Sequence, residues 1–166
     1  MKNIQVNILD PKSIDKAIKE LNKYKKEMER KVLVLIDKMV KLGEDYAINS
    51  LAHIDTGETL SSIMGYRNGD KGVIVAGGNA IWIEFGTGVR NNGNVGSSPH
   101  PKGEELGMKI GTYGKGKGAN PNGWYYLDDD GEVKHTFGIE ANMFMYKTSL
   151  ELQRIYPELA KEVFGK

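Results

Sequence analysis

From Pro11 onward apolar residues fall at Ile14, Ile18, Leu21, Met28, Val32, Leu35, Met39, Leu42 and Tyr46. The steps alternate between four and three, and Lys25 is the one interruption, so the stripe predicts one helix or two collinear helices from about Pro11 to Ala52. Asp10 supplies an N-cap side chain and Pro11 a ring suited to the first helical position. Glu27 and Lys31 form a favourable pair four residues apart, and Gly43 is placed to loosen or kink the helix. A stripe this long also fits a coiled coil. However, Val32, Leu33, Val34, Leu35 and Ile36 are apolar nearly all round, which favours a sheet lying across the helix. Ahead of it Ile4, Val6 and Ile8 alternate with Asn3, Gln5 and Asn7, the period of a half-buried strand.

Further along, Ile63 to Tyr66 and Val73 to Val75 flank Asn68-Gly69-Asp70, a hairpin whose Asn-Gly supplies the positive φ angles of the turn. Residues 80–85 are Ala-Ile-Trp-Ile-Glu-Phe. Read as a strand they align Ile81, Ile83 and Phe85; read as one helical turn, the favoured reading, they start at Asn79 and stop on Gly86. Trp124 to Leu127 and Val133 to Phe137 predict a second hairpin around Asp129-Asp130-Gly131. A last helix starts near Asn142, with Met145, Leu152, Tyr156, Leu159 and Val163 inward, and Pro157 is placed to kink or split it. The fold class expected is therefore α+β: a long N-terminal helix and a C-terminal helix packed on a mostly antiparallel sheet of about four strands.

Between the two hairpins composition changes sharply. Eleven of the 21 glycines lie from Gly86 to Gly123, with five cations against two acids. Such a stretch cannot bury enough apolar surface to offset its ordering entropy, so 1–166 is expected to be one domain with a flexible glycine-rich loop at 89–123. The net charge of +1 hides blocks: 11–42 is +5, 43–85 is −4, 86–123 is +3 and 124–139 is −3. Blocks of opposite sign suit unlike faces of copies meeting head to tail. There is no cysteine, which removes disulfides, thiol catalysis and cysteine-held zinc. No run approaches the ~20 apolar residues of a membrane span, and no signal peptide is evident, so a soluble protein without membrane contact is expected.

Candidate chemistry is thin. Gly111 to Gly118 approaches the phosphate-binding loop but ends in glycine where a hydroxyl is needed, and Pro121 follows where its helix would run. His53, His100 and His135 lack metal-ligand spacing, and His100, between Pro99 and Pro101, reads as a loop residue. Asp128-Asp129-Asp130 reads as a turn with solvated acids. Glu84, the one acid inside a strongly apolar stretch, reads as a buried or interfacial ion pair rather than a catalytic base. No cofactor and no metal are expected.

The block closing on Glu84-Phe85-Gly86-Thr87-Gly88 before a long loop resembles the Hong Kong 97 type tail-component family of tailed bacteriophages, described as tail-completion or head–tail joining proteins. Upstream, Thr56-Gly57 with Leu60, Ser62 and Ile63 is similar to that family's Thr-Gly-x-Leu-x-x-Ser-Ile element, with leucine one place late and Thr59 in its position. Downstream, Phe144 matches a Pro-Phe pair, but Met143 replaces the proline. The resemblance implies a non-enzymatic virion component forming a homo-oligomeric ring in the neck, assembled in the host bacterial cytoplasm. It implies contacts with other neck or tail proteins, and DNA passing through the ring without sequence-specific binding. Trp82, Glu84, Phe85, Gly86, Thr87 and Gly88 are the candidate partner or oligomer interface. Lys109, Lys115 and Lys117 are candidate contacts for DNA or a partner. The alternative is a nucleic-acid-binding module using the basic loop, with Tyr113 and Trp124 as stacking platforms. A small hydrolase or toxin built on Glu84 or His135 lacks a recognisable catalytic set.

Overall fold

The computed structural model describes residues 3–51, 57–88, 99–106, 108 and 120–165. The chain is α+β, with a long N-terminal helix, a C-terminal helix and two small antiparallel sheets. Helix α1 spans Pro11–Leu51 without interruption. Asp10 begins it as expected: its Oδ1 accepts the Lys12 N–H at 3.1 Å, and its carbonyl accepts from Ser13 and Ile14. The short α2 (Glu58–Ser62) leads into the hairpin β1 (Met64–Asn68) and β2 (Lys71–Val75), whose register pairs Met64 with Val75 and Asn68 with Lys71. Helix α3 (Ala80–Phe85) follows, then β3 (Trp124–Leu127), β4 (Val133–Thr136) and α4 (Phe144–Phe164).

The core sits where the last turns of α1 meet the first turn of α4. Ala47, Leu51, Ile63, Ala80, Ile83 and Phe144 are buried together, with Ile48, Leu60, Ile74, Ala76 and Met145 packed around them. From there α4 runs back along α1, and its last turn reaches Lys38 through Glu162. The first hairpin lies across the same part of α1. Gly43 does not break the helix; it makes room. A Cβ there would overlap the Ile74 side chain and lie 2.9 Å from Leu152 Cδ1, so both β2 and α4 approach α1 at this point.

Three expectations change. The four strands form two separate two-stranded sheets rather than one. A hairpin's pairing is set locally by its turn, whereas joining two hairpins needs a long-range edge contact that alternation alone does not specify. Residues 3–8 form no strand, because a period of two describes a face but pairing needs a free edge, and none lies beside this segment among the described residues. Instead Asn3–Asn7 pass alongside Ser13, Ala17 and Glu20, leaving Ile8 and Leu9 exposed. Helix α4 starts two residues later than expected and runs through Pro157 as one helix. Gln153, whose carbonyl loses its bond to the proline, is exposed, so water can take its place. Of the glycine-rich loop, only 99–106, 108 and 120–123 are described, so the expectation of flexibility over 89–123 lies largely outside the described residues.

Phe144 is fully buried at the junction of α1 and α4. Phe144→Ala is expected to lower the unfolding free energy by about 3–5 kcal/mol, read from the denaturant midpoint. A shift below about 0.5 kcal/mol, within the range of ordinary surface changes, would move the core elsewhere.

Candidate functional site

Helix α4 opens with no cap of its own. Met143 occupies its N-cap position with φ 59° and ψ 36° and makes no side-chain capping bond. The exposed N–H groups of the first turn are met from another element. Glu84 Oε2 accepts the Met145 N–H at 2.8 Å, and Oε1 accepts the Tyr146 N–H at 2.9 Å. These are the second and third residues of the helix, the two that an N-cap side chain normally serves. The return connection is made by backbone: Asn142 and Met143 donate to the carbonyls of Ile83 and Glu84, at 2.8 and 3.1 Å. The end of α3 and the start of α4 thus satisfy each other's unpaired groups. The carboxylate also sits at the positive end of a 21-residue helix, where negative charge is favoured.

A third party closes the arrangement. His100 Nε2 lies 2.8 Å from Glu84 Oε1, and His100 Nδ1 accepts the Lys102 N–H at 3.0 Å. Since Nδ1 is the acceptor, the ring hydrogen is on Nε2 and points at the carboxylate. The imidazole packs tilted against Phe85, with ring centres 4.4 Å apart at 39°, and against Tyr146, 5.2 Å apart at 59°. Glu84 and His100 are each 7% exposed. The pairing read for Glu84 is internal, and with this tautomer it is a hydrogen bond to a neutral imidazole rather than an ion pair; its partner is the histidine expected in a loop. The signal for His100 was weak: an imidazole held between Pro99 and Pro101, and a lone buried acid needing a donor.

Beyond Glu84 the motif forms a seam. The Thr87 N–H donates to the Ile139 carbonyl at 2.8 Å, and Thr87 Oγ1 accepts the Ile139 N–H at 3.1 Å. A Cβ at Gly88 would overlap the Phe137 carbonyl, and one at Gly138 would overlap the Thr87 carbonyl. Both glycines have positive φ, +66° and +95°. Only glycine lets these two strands of backbone pass so closely.

Of the candidate interface residues, Glu84, Phe85, Gly86 and Gly88 are buried in the chain's own fold, Thr87 is half-buried, and Trp82 is 44% exposed on α3. Lys109, Lys115 and Lys117 lie outside the described residues, as does Tyr113. Ser62 has a local role: its hydroxyl accepts the Gly77 N–H and donates to the Thr59 carbonyl. At Met143 the departure from the family's pattern is physically consequential, because proline cannot adopt φ +59° and has no N–H to give to Glu84. The pocket between α1, β2 and α4, about 290 Å³, is lined by Ile36, Met39, Ile74, Met145 and Leu152 among others and carries no charged group. No cluster of three metal-binding side chains occurs among the described residues.

No protein-family model matches this chain, and comparisons with curated proteins and with solved structures found no match. The resemblance to the phage family rests on the residues quoted above.

Glu84→Ala would leave two helix N–H groups and His100 Nε2 without their acceptor. The expected loss is about 1–3 kcal/mol for each buried donor left unsatisfied. Glu84→Gln, which keeps one acceptor oxygen, should lose less. Urea midpoints for both variants check this, and an Ala variant as stable as the parent would deny the cap any weight.

Proposed function

We propose that this chain is a non-enzymatic assembly protein of a tailed bacteriophage or prophage, a tail-completion or head–tail joining component that builds a ring in the virion neck. The motif resemblance supplies the family. One structural observation supports self-assembly: the chain leaves two unlike apolar surfaces open.

The first is the amino-terminal part of α1. Beyond the reach of α4, Ile14, Ile18 and Leu21 of the stripe are 38%, 50% and 55% exposed; farther along, Val32, Leu42 and Tyr46 are exposed as well, and Leu35, Val40, Gly43, Ala47 and Leu51 form the buried face. The second is the hairpin β3–β4. Tyr125 faces His135 and Leu127 faces Val133 on one side of it, and Tyr125, Leu127 and Val133 are each about two-thirds exposed. The first hairpin has α1 packed across it, and the second has no comparable helix cover among the described residues. A bare two-stranded hairpin is marginal in water and gains stability from a helix laid on it. The early turns of α1 from one copy, placed on β3–β4 of the next, fill both vacancies. Contacts between unlike faces repeat head to tail and close into rings.

The non-enzymatic reading rests on the buried acid–imidazole pair of Glu84 and His100, found among the described residues. Both Glu84 oxygens and both His100 nitrogens are already engaged in holding α4 and the 100–102 turn. In this reading the protein assembles in the host bacterial cytoplasm and ends in the virion neck, touching other neck or tail proteins, with DNA passing through.

Ile18→Asp and Leu127→Asp each place a charge on one open face without touching the core. Each variant alone should sediment as a monomer with unchanged helix signal, where the parent forms a closed oligomer. Mixed together, the two retain one good face each and should stop at dimers. A parent that stays monomeric at every concentration would remove the ring. Variants that still close would put the junction on other residues.

A further inference from the structure

On the side of α1 opposite the Ile14–Ile18–Leu21 stripe stands a row of one sign. Lys12, Lys16, Lys19, Lys23, Lys26 and Arg30 succeed one another in steps of four and three, so they share a single helix face. All six are exposed. The row is about 27 Å long at 1.5 Å per residue, and it lies on the part of α1 that α4 does not reach, apart from Arg30 beside the last turn of α4.

Its pairing is unusual for a solvated helix. Off the row, Lys25 pairs with Glu29 and Lys31 with Glu27, each at 3.9 Å, whereas Lys16 and Lys23 each have an acid four residues on, Glu20 and Glu27, and pair with neither. None of the six row residues makes an ion pair among the described residues. Each row residue but Arg30 has another cation three or four positions on. Like charges at that spacing destabilise a helix, and a polyanion laid along the row would relieve all five repulsions at once. We propose that this face of α1 is a binding site for the phosphate backbone of duplex DNA.

The geometry favours DNA over other anions. A straight row of evenly spaced cations suits a polymer with one charge per ~1.7 Å of axis. The acidic turn at 128–132 is too compact to cover 27 Å. An anionic membrane would have to take the opposite face, where the stripe holds three aliphatic side chains, is interrupted by Lys25, and contains neither Trp nor Phe. The lysines and arginine contact phosphates without reading bases, so binding should be indifferent to sequence. The inference goes beyond ring formation, because the row belongs to a single chain. It also differs from the loop lysines as a site for nucleic acid.

The test is fluorescence anisotropy of a labelled mixed-sequence 25-base-pair duplex, titrated with the full chain across a sodium chloride series. Six phosphate contacts predict log K falling against log salt with a slope of about −5. Lys16→Gln/Lys19→Gln/Lys23→Gln should make that slope shallower by about 2.7 and weaken binding equally for two unrelated sequences. Lys109→Gln/Lys115→Gln/Lys117→Gln should leave the slope in place. Circular dichroism and sedimentation on the same samples separate loss of the row from loss of fold or of the ring. The proposal is overturned if the parent fails to bind at 50 mM salt, if the α1 triple variant keeps the parent slope, or if the loop variant alone abolishes binding. Equal or tighter binding to vesicles with 30% anionic lipid at the same salt would also overturn it, in favour of a membrane.

Discussion

The fold turns on one buried carboxylate serving a helix that is not its own. Glu84 stands in the last turn of α3, yet its oxygens complete the first turn of α4 sixty residues later. A helix start with unmet N–H groups next to a core is costly, and α4 begins beside Phe144, which is fully buried. Those groups are half-buried, and Met143 offers no side-chain oxygen. The acid must therefore come from elsewhere and be held rigidly enough to arrive. His100, packed against Phe85 and Tyr146, and the backbone bonds from Asn142 and Met143 provide that rigidity.

The seam depends on the same junction. Once Glu84 fixes the end of α3 against the start of α4, the residues after one and before the other must pass each other at backbone distance. That explains Gly88 and Gly138 together: each would carry a side chain into the other strand's carbonyl groups. It also explains why the motif joins an acid, an aromatic and two glycines. The acid caps, the aromatic packs on the histidine, Gly86 ends the helix with φ +75°, and Gly88 admits the returning chain. On this account the five residues that carry the resemblance are a folding device. Exposed apolar side chains stand on α1, on the second hairpin and, at Trp82, on α3.

Much of this architecture was legible. Helix α1 follows from its stripe and from Asp10-Pro11, both hairpins from their turn residues, and the end of α3 from Gly86, because each of these signals is local, whereas Asn79 stands at the N-cap of α3 without a side-chain capping bond. Glu84 as a buried pair was also legible, since a lone acid in an apolar run has few other fates. What escaped was long-range. His100 gives no local hint of burial, and Met143 gives none of a left-handed backbone, because both are set by contacts with α3. The same limit applies to the strand expected at Ile4–Ile8: alternation was present and a partner edge was not. The division of four strands into two sheets is of the same kind.

The early half of α1 poses the remaining physical question, which is how a helix with so little packing persists. An isolated segment of about twenty residues is marginal in water, chiefly because the first turn must be nucleated at a loss. Here nucleation has already occurred in the half of α1 buried against α4 and β1–β2, so the amino-terminal turns need only propagation. Lysine, glutamate and leucine favour propagation, and Asp10 closes the free end. A chain built this way can hold a rod of about 30 Å outside its own core. The rod then presents an apolar side and a basic side on opposite faces, free for two different neighbours at once.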